Sequence, residues 1–136
     1  MRYATAILTL TLVPCAAFAA DSRFDGTWQT TVSCAAARDA LGYSFRFPSV
    51  VQNGVLRGLH GVAGQPGSLQ LDGTIAPDGT GKLYATGYTN SKEFVPGRDT
   101  AKGTEYNYNI DARFGLTMGT GTRVEGRPCS YQFIKQ

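Results

Sequence analysis

The sequence predicts an all-β protein, an eight-stranded antiparallel up-and-down barrel closed by one disulfide. Three observations carry this. Beyond the first twenty residues no helix-length stretch repeats apolar residues at i, i+3, i+4 and i+7; the chain alternates with period two or breaks at Gly, Pro, Asn and Asp. The strand-like runs follow one another at near-regular spacing through short turns, which argues for a meander, and closing a meander removes its exposed edges. Two cysteines, Cys34 and Cys129, stand at the ends of the first and last runs, where a single bridge joins them.

The first 19 residues read as a secretory signal peptide. Arg2 supplies the basic start, Ala4 to Val13 the apolar run, and Ala17-Phe18-Ala19 the small residues for cleavage before Ala20. The apolar run is about half the ~20 residues that span a bilayer, and nothing later is long and apolar enough, so no integral membrane segment is expected. A lipid-attachment box at Leu12-Val13-Pro14-Cys15 competes with this reading, but proline before the cysteine fits it poorly. The Ala-rich, Arg-poor leader points to bacterial export, to periplasm or medium. The expected organisation is residues 1–19 as leader and residues 20–136 as one barrel domain.

Taken in order, the expected strands are Phe24–Cys34, Tyr43–Gln52, Val55–His60, Ser68–Ile75, Lys82–Tyr88, Thr104–Phe114, Thr117–Arg123 and Cys129–Lys135. Ala35 to Leu41 has room for one helical turn. Asn53-Gly54 between two strand-like runs is a strong hairpin signal, because both central positions of that turn need positive φ. In Pro77-Asp78-Gly79 the proline pre-sets φ and the glycine takes the left-handed position. Gly115 makes a tight corner. Alternate loops of a meander lie at alternate ends, so the tight turns at 53–54, 76–81 and 115–116 share one end. The longer loops at 35–42, 61–67, 89–103 and 124–128 share the other, and any mouth is there. The 89–103 loop is the longest and most polar, and loops of that length tend to be functional or mobile.

With Cys34 opposite Cys129, antiparallel pairing sets Val32 against Tyr131, Thr30 against Phe133 and Trp28 against Lys135. All lie on one face. A bridge closing so long a loop is worth about 4–5 kcal/mol by the chain-entropy argument. At the other end the Lys135 stem is expected to cover the Trp28 indole.

Gly26-Thr27-Trp28 at the start of the first strand resembles the G-x-W signature of the calycins, the lipocalin, fatty-acid-binding and avidin-type barrels. The resemblance implies an inward Trp28 near the closed end with a basic residue of the last strand over it, a role Lys135 matches in kind. One tryptophan is too few for the biotin site of the avidins, and the lipocalin C-terminal helix is missing. The segments FDGTW, YSFRFP, NGVLRG, PDGTG, GTEYNYNIDARF and RPCSYQF also resemble a group of small exported proteobacterial proteins, which brings no function with it.

Composition narrows the function. A chain of 136 residues with 42% hydrophobic and 17% charged side chains is one domain with a core. A net charge of +3 spread along it is no nucleic-acid footprint. One histidine and three cysteines leave little for a metal centre or a Cys–His pair, and no cofactor is expected. His60 with Ser49 or Ser68 lacks any nucleophile-elbow context. Asp72, Asp99, Glu105 and Asp111 are available for a carboxylate pair, but Asp72 and Asp111 fall on outward positions. No catalytic constellation emerges, and an enzyme is not expected.

The aromatics are the richer resource. Tyr43, Phe45, Phe47, Tyr106, Tyr108, Phe114, Tyr131 and Phe133 occupy inward positions. They either fill a narrow eight-stranded barrel or leave a polar pocket at its mouth. His60, paired near Phe47, points inward at the wide end; the plainer account makes it a rim histidine bonded to a carbonyl. Two functions follow. The first is a small-molecule carrier with His60, Phe47, Phe94 and Arg98 at the mouth. The second is a protein-interaction barrel, an envelope partner or a protease inhibitor, acting through the 89–103 loop.

Overall fold

The computed structural model describes residues 22–136; the expected leader, its cleavage site and Cys15 lie outside them. Eight strands follow in chain order: β1 (Gly26–Cys34), β2 (Tyr43–Gln52), β3 (Val55–His60), β4 (Leu69–Ile75), β5 (Thr80–Tyr88), β6 (Glu105–Phe114), β7 (Met118–Arg123) and β8 (Cys129–Lys135). Each pairs antiparallel with its neighbours in sequence, and β8 pairs back onto β1 to close the barrel. The closing register is the expected one: Cys34 opposite Cys129, Val32 opposite Tyr131, Thr30 opposite Phe133 and Trp28 opposite Lys135. The Cys34–Cys129 disulfide joins residues 95 apart. No helix among the described residues is long and apolar enough to cross a membrane.

The tight-turn end is filled by buried aromatic side chains. Trp28 is fully buried, its indole edge-on to Phe114 at 5.4 Å, and its Nε1–H donates to the Phe24 carbonyl at 2.9 Å. The Lys135 ammonium lies 5.7 Å from the indole centre. Gly26 makes that approach possible: its φ is +138°, and a Cβ there would sit 3.0 Å from the Lys135 Cε. Asn53 and Gly54 adopt φ of 52° and 74°, the paired positive values their hairpin demands.

Higher in the barrel the filling turns polar in two buried hydroxyl pairs, Thr30–Ser49 at 2.7 Å and Tyr108–Tyr131 at 2.6 Å. Each hydroxyl satisfies the other, which removes the cost of burying them alone.

Three local expectations are corrected: first, β1 starts at Gly26 and not at Phe24, because the chain is still turning there, with the Asp25 N–H on the Ser22 carbonyl at 3.0 Å. Residues 35–41 form no helical turn. Ala37 and Ala40 exchange both backbone bonds around Arg38-Asp39, with Arg38 at φ 56°, a miniature hairpin; the one short helix among the described residues is a 3-10 turn at Lys92–Phe94 in the 89–103 loop. The fifth strand starts at Thr80, two residues early. The Asp78 carboxylate accepts the Thr80 N–H and Ala76 N–H reaches the Thr80 carbonyl, so pairing resumes as soon as the chain has turned at Gly79.

Candidate functional site

At the long-loop end the aromatic filling loosens into a cavity of about 560 Å³. Its walls come from inward positions near the ends of β2 and β6 and from the 89–103 loop. Tyr43 and Phe45 stack in parallel at 5.8 Å on one side. Tyr106 stands on the other, stacked on Tyr108 at 6.3 Å. Tyr106 presses on a gap that only glycine leaves, since a Cβ on Gly87 would lie 2.3 Å from its ring. Phe94 meets Tyr43 edge-on at 5.9 Å, and Val95 and Pro96 extend that wall.

The 89–103 loop is mostly exposed, yet it is not free. It folds over the mouth and is tied to the neighbouring loops. Leu41 N–H donates to the Glu93 carbonyl at 2.8 Å. The Asp39 carboxylate accepts the Gly97 N–H at 2.8 Å, and the Arg98 guanidinium donates to the Asp39 carbonyl through Nη2 at 2.7 Å. Arg127 is the central clamp. Its guanidinium donates to the carbonyls of Ala35 at 2.8 Å, Phe94 at 2.6 Å and Leu41, and it lies 4.9 Å from the Tyr43 ring centre. One side chain therefore joins three loops through charge-assisted bonds, the stronger kind.

Electrostatics follow from this packing. The Gly97 N–H holds the Asp39 carboxyl below its ordinary value. Burial pushes the Tyr108 hydroxyl up to about 12, with its bond to Tyr131 and the nearby Arg123 pulling the other way. Tyr131 and Tyr106 are raised as well, first by burial and then by neighbouring tyrosine hydroxyls. These hydroxyls stay protonated at neutral pH and offer hydrogen bonds, not charge.

Two cations reach the cavity, Arg127 and Arg123. Arg123 stands at an inward position at the end of β7, with its guanidinium 4.1 Å over the Tyr108 ring. Its Nε donates to the Glu125 carbonyl at 2.6 Å. One carboxylate is present, Glu105, on an outward position of β6 and bonded by the Tyr88 hydroxyl at 3.1 Å.

Of the side chains expected at the mouth, Phe94 lines the cavity. His60 stands on the inward face of β3, stacked on Phe45 at 4.2 Å and 6.1 Å from Phe47, beside the cavity but not among its lining residues. Phe47 is buried deeper in the barrel, and Arg98 turns away to Asp39. Tyr43, Phe45 and Tyr106 were legible as inward aromatics, whereas Arg123 and Arg127 were missed. Period two carried down from Gly119 and Gly121 marks Arg123 as inward; nothing in the sequence marks Arg127 as a clamp.

No family model, curated protein or solved structure matches the chain. The chemistry of the mouth carries the functional reading.

Proposed function

We propose that the chain is an exported, non-enzymatic binding barrel, calycin-like in plan, that takes a small molecule into its mouth. The observation that carries this is the aromatic-walled cavity of about 560 Å³ beneath the 89–103 loop. Ligand sites are concave, mostly apolar, and within roughly 300–1,000 Å³, with a few polar groups to orient the guest. Export to the periplasm or medium rests on the leader reading of residues 1–19, and a disulfide-bonded barrel is compatible with it. The calycin-like plan draws support from the inward Trp28 with Lys135 beside it.

Native mass spectrometry of protein purified from its own host tests the reading. A small-molecule adduct that disappears on denaturation is expected. A bare barrel, or one carrying a protein partner alone, contradicts it.

A second reading has its own support. Each of the four mouth loops exposes one large apolar side chain, Leu41, Val62, Phe94 and Val124, between 38% and 68% accessible. Apolar groups gathered around a rim favour protein docking, and the same spectrum would then show a protein complex.

A further inference from the structure

Resting on the mouth-binding reading, we infer that the guest is a flat aromatic anion, a ring system bearing a carboxylate, and that Arg123 is its charge partner. Arg123 reaches the barrel mouth, half-buried, with its guanidinium carbon 4.1 Å over the centre of the Tyr108 ring. It makes no ion pair among the described residues. Its Nε is used on the Glu125 carbonyl, and its two Nη groups make no hydrogen bond among the described residues. A partly desolvated cation without a counter-ion is costly and gains from an incoming anion. A guanidinium with two free Nη donors suits the planar, forked geometry of a carboxylate.

The other charges leave this role to Arg123. All three kinds of nitrogen of Arg127 already hold loop carbonyls. Glu105 faces outward in register and is bonded by Tyr88, so it does not neutralise Arg123. The remaining walls combine rings with Val95, Pro96 and the short polar side chains of Thr89, Asn90, Ser91 and Thr100. Phe45 and Tyr43 lie with their rings parallel on one side, and Tyr106 stands on the other, a lining that receives another ring face-on or edge-on.

Calorimetric titration with naphthoate and with naphthalenemethanol tests the inference, because the two share a ring system and differ in charge. Naphthoate should bind one-to-one and at least tenfold more tightly, about 1.4 kcal/mol. In Arg123→Gln the naphthoate affinity should fall to that of the alcohol while the alcohol is unaffected. The wild-type contrast needs no variant, so a misfolded Arg123→Gln would not rescue the inference. Equal binding of the two probes, or a preference that survives Arg123→Gln, overturns the anionic guest and leaves the mouth-binding reading standing. Binding of neither probe overturns the inference as well. The native-mass adduct then decides separately whether the mouth binds anything.

Discussion

Removing the Trp28 indole tests the packed end of the barrel. Trp28→Ala deletes a side chain with no solvent exposure. Large aromatic-to-Ala changes in cores cost about 3–5 kcal/mol, the lost transfer free energy plus a cavity. Two contacts push this example toward the upper part of that range. The edge-on contact with Phe114 adds about 0.5–1.5 kcal/mol beyond area, and the Phe24 carbonyl loses its donor. Small domains have roughly 5–15 kcal/mol in total, so the variant sits near the edge of folding. Lys135→Ala should cost about 1 kcal/mol or less, since its ammonium stands 5.7 Å from the ring centre, near the limit for a cation–π contact. In urea, with a slope of about 2 kcal/mol/M, Trp28→Ala should lower the midpoint by roughly 2 M and Lys135→Ala by no more than about 0.5 M. A Trp28→Ala penalty below about 1 kcal/mol, or a larger penalty for Lys135→Ala, would refute the reasoning.

Three further predictions follow from the same packing. Intact-mass analysis should show a two-hydrogen gain on reduction of the Cys34–Cys129 bridge, and the double alanine variant should lose up to about 4–5 kcal/mol; two free thiols in the isolated protein would contradict it. Asp39→Ala should raise amide exchange across residues 89–103 while leaving the global urea midpoint unchanged. Because the Asp39 carboxyl is lowered, its contribution to the latch is present above its ordinary value of 3.8 and is lost as pH falls through the folded value, so acid should loosen the loop in the wild type; protection that ignores both the variant and acid would sink the latch. At high pH the sign reverses. Tyr108 and Tyr131 are raised above 10.0, so their contribution is intact below pH 10 and is lost as pH climbs through the folded values; tyrosinate absorbance should show a late group that ionises together with loss of near-ultraviolet dichroism.

The barrel was legible because its signals are local. Alternation gave the inward faces, Asn53-Gly54 fixed one hairpin, and Cys34 opposite Cys129 set the closing register through to Trp28 and Lys135. The mouth was less legible because period two tells inward from outward but not depth. Phe47 and Phe45 share a face, yet Phe47 is buried and Phe45 lines the cavity. Loop-to-loop contacts lie further from sequence still. Arg98 stands at the mouth end as expected, but its guanidinium is held by the carbonyl of Asp39, 59 positions away, and not by the cavity. Arg127, in a short loop after β7, draws Ala35, Leu41 and Phe94 together through backbone carbonyls, which leave no trace in side-chain pattern.

The most direct test of a binding mouth is a heteronuclear NMR titration of the isotope-labelled barrel with a set of small aromatic fragments. The account predicts saturable shifts concentrated at Tyr43, Phe45, Phe94, Tyr106 and Arg123, with the Asn53-Gly54 end silent. Shifts confined to the outer face of the barrel, or none at any concentration, would contradict it.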